Sequence, residues 1–107
     1  MSSEINKKII ELAQQDKILS STIRLSIMTL LYLNGRMRFT ELKNILKLTS
    51  GNLATHLRKL EKAGYIKIEK TFLSLKPATL IILTKKGAEK LLTFYSKIRE
   101  IAETLKQ

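Results

Sequence analysis

Between Thr49 and Gly64 the chain carries two kinds of residue at helical spacing. Leu53, Leu57 and Leu60 recur at intervals that mark one buried stripe. Stepping about 100° per residue from that stripe, Gly51, Asn52, Thr55, Arg58, Lys59 and Lys62 point outward, and none of them is an acid. Short hydrogen-bonding residues stand near the helix start and long cations farther along. This is chemistry suited to a nucleic acid. Ser50, Gly51, Asn52 and Thr55 are small enough to meet base edges in a major groove, and Arg58 and Lys59 reach bases or phosphates as Lys62 does. Gly51 also permits close approach of the backbone to a phosphate, at a helix terminus that favours anions. The alternative is an ordinary solvated helix face; the absence of acids favours the nucleic acid.

Composition points the same way. The chain has 107 residues, 20 Lys and Arg against 9 Asp and Glu, and a net charge of +11. Residues 1–20 are neutral overall, so the excess falls on the remainder of the chain. A basic domain of this kind commonly meets a polyanion. The length predicts a single domain spanning 1–107. With no Cys and only His56, disulfides, thiolate metal sites and multi-histidine centres are excluded. No catalytic constellation or Gly-rich phosphate loop is present, so neither an enzyme nor a cofactor is expected. No apolar run is long enough to span a membrane. The start, Met1-Ser2-Ser3-Glu4, lacks signal-peptide character. A soluble, cytoplasmic, nucleoid-associated protein is the expectation.

Elements that position this face can be read from periodicity and punctuation. Ile5, Ile9 and Leu12 predict a first helix from Ser3 to Gln15, with Ser3 as its cap. Ile23, Ile27, Leu30, Leu31 and Leu33 give a second helix, ended by Asn34-Gly35. Arg36-Met37-Arg38 is basic and extended in character. Thr40 is the expected cap of a short third helix with Leu42, Ile45 and Leu46 inward. The fourth helix starts at Thr49 or Ser50 and ends at Ala63, with Gly64 at positive φ. Tyr65 to Lys70 alternates apolar and polar, as a strand does. Residues 73–78, containing Pro77, form a hairpin tip, and Thr79 to Leu83 the return strand. Thr84 caps a last helix from about Lys85 to Lys106. The fold class is mainly α (α+β), in the order α-α-α-α-β-β-α: a helix-turn-helix followed by a hairpin wing.

On these residues the chain resembles winged-helix transcription regulators of the MarR and ArsR type. His56-Leu57, Leu60 and Gly64 match the family form of a recognition helix ending His-Leu-x-x-Leu-x-x-x-Gly before an apolar strand. Arg24 resembles the arginine that opens the second helix in such proteins, and Leu83-Thr84-Lys85-Lys86-Gly87 resembles the segment that closes the wing. The layout is similar to that of short archaeal regulators. The resemblance implies that residues 20–84 form a DNA-binding core. It implies a wing that usually clusters Lys or Arg around its proline; here that contact rests on Lys70 and Lys76. The remaining phosphate candidates are Arg24, Arg38, His56 and Lys62. Arg24 equally suits an ion pair with Glu41 or another acid, and His56 equally suits packing against the wing or sensing pH.

The end helices carry a second pattern. Ala88, Leu91, Tyr95, Ile98, Ala102 and Leu105 recur at intervals of three and four, as an a/d seam does. Leu92, Phe94 and Ile101 widen it. Residues 3–16 and 85–106 are therefore expected to be dimerisation helices, with Ile5, Ile9, Leu12, Leu91, Tyr95, Ile98, Ala102 and Leu105 at the interface; packing within one chain is the alternative. The expected partners are double-stranded DNA with a palindromic or near-palindromic site, and a second copy. The rivals are a low-specificity architectural DNA binder and a winged helix used for protein or RNA contacts. Neither an operator nor an effector is legible.

Overall fold

Where apolar residues recur with helical period the chain is helical, and where they alternate it is extended. The computed structural model describes residues 2–107. Its elements are α1 (Ser2–Gln15), α2 (Thr22–Asn34), β1 (Arg36–Arg38), α3 (Phe39–Leu46), α4 (Ser50–Lys62), β2 (Ile66–Leu73), β3 (Lys76–Leu83) and α5 (Lys85–Leu105). Helices and hairpin follow one another as the sequence predicts. The basic stretch 36–38 is a true strand, paired antiparallel to β3 with Met37 opposite Ile81, so the sheet order is β1-β3-β2. Among the described residues, no helix is long and apolar enough to cross a membrane.

The core gathers one face of each element. Ile27, Met28 and Leu31 of α2, Leu42 of α3, Leu53, Leu57 and Leu60 of α4, Ile66 and Ile81 of the hairpin and Leu91 and Phe94 of α5 are all buried. The α4 stripe lies where its spacing placed it. Leu33 and Ile45 do not: they are 74% and 54% exposed. In each case neighbours on the same short helix already fill the inward face.

Three boundaries differ from expectation. Ser3 lies inside α1, which begins a residue earlier. Thr40 is the second residue of α3 rather than its cap, because Arg38 takes the cap position and donates its backbone N–H to Glu41 Oε1 at 2.9 Å. The hairpin is longer and its tip tighter: only Ser74 and Leu75 separate β2 from β3, and Pro77 sits within β3 opposite Phe72. Proline is tolerated there because β1 pairs only with Leu80 to Ile82, so beside Pro77 the outer edge of β3 has no neighbour to receive a donor.

The hairpin and α5 are joined closely. Gly64, at φ 82°, ends α4. Its carbonyl accepts from the Thr84 hydroxyl at 2.7 Å, while Thr84 Oγ1 accepts from the Gly87 N–H at 3.0 Å. The Thr84 N–H donates to the Tyr65 carbonyl at 3.1 Å. Lys86 Nζ lies 5.9 Å from the centre of the Tyr65 ring, which offsets a cation placed at the start of a helix.

Helices α1 and α5 pack antiparallel. Lys8 faces Glu100 and Lys97 faces Glu11, each pair at 4.0 Å. Such exposed pairs contribute little; they report register more than stability. Past Phe94 no residue of α5 is fully buried, and none described in α1 is. The molecule is accordingly elongated, 59 × 25 × 21 Å.

Candidate nucleic-acid interface

Helix α4 starts cleanly because Thr49, in extended conformation, accepts from the Asn52 N–H at 3.1 Å. With its leucine stripe fixed inward, Ser50, Gly51, Asn52, Thr55, Arg58, Lys59 and Lys62 are all exposed. A Cβ on Gly51 would meet nothing within 4 Å, so the fold itself does not require glycine there. The Thr55 hydroxyl donates to the Gly51 carbonyl at 3.0 Å and accepts from Arg58 Nη2 at 3.3 Å. Its hydrogen is thus engaged, leaving acceptor capacity toward solvent.

Beside α4 runs a groove between the hairpin and the start of α3. Two adjoining hollows of about 510 and 490 Å³ share Phe39, Lys70 and Thr79. The floor is apolar and aromatic, and Arg38, Arg58 and Lys70 supply the charge; no acid lines either hollow. Lys76 is exposed at the end of the hairpin. The structure therefore brings Lys70 beside Arg58 of α4 and Arg38 beside Lys70, while Lys76 stands apart at the hairpin end.

Arg24 does not stand where the sequence suggested. It is 9% exposed and makes no ion pair with Glu41, whose carboxylate is used at the start of α3. Its Nε donates to the Ile18 carbonyl at 2.7 Å, its Nη2 to the Lys17 carbonyl at 3.4 Å, and its Nη1 lies 3.1 Å from His56 Nδ1. A guanidinium only donates, so His56 Nδ1 accepts and the ring proton sits on Nε2. Burial, then the charges of Arg24 and Lys59, hold the His56 pKa below its usual value. At neutral pH the ring is uncharged. Gln15 Oε1 is the one buried side-chain polar atom without a partner among the described residues. His56 Nε2 has no partner among the described residues and is not one of the fully buried atoms, so it is a donor open to solvent. Arg24 is a positioning residue that ties the α1–α2 connection to α4.

A second tie was not foreseen. Asp16 Oδ1 accepts from the backbone of Ile18 and Leu19, and Oδ2 accepts from the Tyr65 hydroxyl at 2.6 Å. Burial and this carboxylate push the Tyr65 pKa well up. Asp16 directly after a helix, with an aromatic just past the C′ glycine, is the only trace of it in the sequence.

The expected interface residues divide. Leu91 is 2% exposed and belongs to the chain's own core, as does Phe94; α5 meets α2 there, and a partner cannot reach Leu91. Ile5, Leu12 and Ala102 are half-buried. Ile9, Ile10, Leu92, Tyr95, Ile98 and Leu105 remain exposed. Tyr95 also has its hydroxyl 2.7 Å from Thr29 Oγ1.

A family model described as a winged helix DNA-binding domain matches residues 23–102. An uncharacterized protein of Methanocaldococcus jannaschii is 34% identical over 89 residues, 83% of this chain and 97% of that protein. Among solved structures, a transcriptional regulator homologue from Pyrococcus horikoshii OT3 superposes with a TM-score of 0.88 at 30% identity, over 94% of this chain and 99% of that one. A mutant MarR from E. coli is similar at a TM-score of 0.70 and 19% identity, over 96% of this chain and 77% of that one. At that identity the likeness is one of fold, and it is the fold the sequence resemblance implied.

Proposed function

The chain belongs to the winged helix DNA-binding domain family, and from that premise we propose that it is a transcriptional regulator that reads a specific duplex sequence as a homodimer. The observation that carries the reading is the exposed face of α4. Its outward residues Ser50, Gly51, Asn52, Thr55, Arg58, Lys59 and Lys62 include no acid, Glu61 being exposed on the flank, and they contribute nothing to the core; Arg58 also lines a groove with Lys70, which Arg38 adjoins. In the major groove, Asn52 offers the donor and acceptor that match adenine N7 and N6, and Thr55 accepts from an amino group. Ser50, Gly51, Arg58 and Lys59 complete the base-edge set. Arg38, His56 Nε2, Lys62, Lys70 and Lys76 hold phosphates. In a single domain, residues 20–84 form this DNA-binding core, and the end helices join two copies.

Reading and holding separate experimentally. Asn52→Ala or Thr55→Ala is expected to lose about 1–3 kcal/mol on a cognate site and much less on random DNA. Lys62→Ala or Lys76→Ala should weaken both DNAs alike. Anisotropy titrations measure both. Equal losses on both DNAs for Asn52 and Thr55 would replace the regulator with a low-specificity architectural binder.

The dimer rests on the apolar strip that α1 and α5 leave open. Ile98→Glu with Leu105→Glu should give monomers in sedimentation while circular dichroism shows the core folded, because both positions lie beyond the last buried residue of α5. A wild-type monomer at high micromolar concentration would remove the dimer.

A further inference from the structure

The end of the hairpin is apolar in the middle of a cationic surface. Phe72 is 71% exposed and Leu75 is 95% exposed. Pro77, opposite Phe72, is exposed as well. Alternation along β2 puts Phe72 on the same face as Lys70, Ile68 and Ile66, the face that looks onto α3 and α4: Phe72 and Lys70 share one hollow with Arg38 and Phe39, and Lys70 and Ile68 share the next with Leu57 and Arg58.

These side chains do little for the isolated fold, and one of them costs it stability. Ser74 and Leu75 have φ of 53° and 68°, in a two-residue turn where Gly or Asn is the usual choice. A left-handed conformation brings the Cβ of any residue but glycine too close to the following carbonyl oxygen and is disfavoured. A leucine kept in that conformation, with nearly all its surface in water, is a feature that gains only on contact.

Charge identifies the contact. Lys76 adjoins the turn, Lys70 lies farther back on the face of β2 that carries Phe72, Arg38 and Arg58 line the hollows beside it, and no acid lines either hollow. A protein partner would have to supply acids for Lys76, Lys70 and Arg38 beside an apolar socket, whereas a duplex presents an apolar base stack between two rows of phosphates. Reach agrees: at about 3.3 Å per residue the eight-residue strands extend far enough to span the half turn, roughly 17 Å, between a major groove and the adjacent minor groove.

We propose that the wing tip is an apolar wedge: Leu75, backed by Phe72, enters the minor groove, parts a base step and kinks the duplex toward the major groove. The proposal rests on duplex binding through α4 and adds that part of the site is read as deformability, with flexible pyrimidine–purine steps favoured where the tips enter.

The test uses the full chain and an end-labelled duplex carrying a site it binds, with 2-aminopurine at the flanking step. At saturation the wild type should shorten the end-to-end distance in energy transfer and raise 2-aminopurine fluorescence. Leu75→Ser with Phe72→Ser should still saturate the site, leave the DNA straight, and lose a preference of roughly tenfold for flexible over A-tract flanks. Leu75→Gly, which relieves the positive φ, should bend the DNA less while unfolding at a higher temperature. Straight DNA under saturating wild type, equal bending by the serine variant, or loss of the dimer in that variant would each overturn the wedge. Binding without bending leaves the α4 reading standing; absence of any duplex binding removes both.

Discussion

Raising salt from about 50 to about 200 mM should weaken binding to duplex DNA roughly ten-thousand-fold. Each protomer offers about four cations that can replace counterions at the interface, from Arg38, Arg58, Lys59, Lys62, Lys70 and Lys76, all exposed around α4 and the wing. Two protomers then neutralise about eight phosphates, and log K falls with log salt at a slope of about −7. His56 adds nothing to the slope at neutral pH, because burial and then the charge of Arg24 hold its pKa below the usual value. It adds a hydrogen bond instead. Anisotropy titrations over a salt series give the slope directly; a value near zero would contradict duplex binding altogether.

Gly87→Ala is expected to be the most damaging single substitution for folding. Gly87 lies buried in the first turn of α5, and a Cβ there would stand 2.2 Å from the Tyr65 carbonyl oxygen and 3.0 Å from Met28 Cε. The methionine end can move. The carbonyl cannot, since it accepts from Thr84 and belongs to the backbone leading into β2. Helix α5 would have to shift away from the hairpin, carrying Leu91 and Phe94 with it. A cost of about 3 kcal/mol follows for overpacking against rigid backbone, which for a domain of this size lowers the unfolding midpoint by about 12–24 °C. Thermal unfolding followed by circular dichroism measures it, and a shift of only a degree or two would show that the α5–hairpin junction is looser than its hydrogen bonds indicate.

The α4 face was legible because one helix with three evenly spaced leucines leaves little freedom in which side faces out. The turn glycines and the cap at Thr84 were legible for the same local reason, whereas the start of α4 stayed open between Thr49 and Ser50 until the cap at Thr49 was seen. The start of α3 was misplaced because a threonine looked like the cap; the usable signal was Glu41, three residues after Arg38. The hairpin was drawn short because Pro77 reads as a strand breaker, and only the pairing of β1 shows that this stretch of β3 has a free edge. Arg24 could not be resolved from sequence: its partners are two backbone carbonyls and a ring 32 positions away. Leu91 lay on a genuine seam, but periodicity shows that a face is apolar without showing which neighbour covers it. The wing departs from the basic tip that the resemblance implied, and its exposed Phe72 and Leu75 become meaningful only once the two strands are seen to pair to the very end.

Selection from a pool of random duplexes tests most directly whether α4 reads sequence. The full chain, at a salt concentration where it binds, should enrich a two-fold symmetric site with half-sites about one helical turn, or a multiple of it, apart. The Asn52→Ala variant should enrich a degenerate site at the same positions. A pool that is retained by the wild type yet stays random through successive rounds would contradict the sequence-reading role of α4.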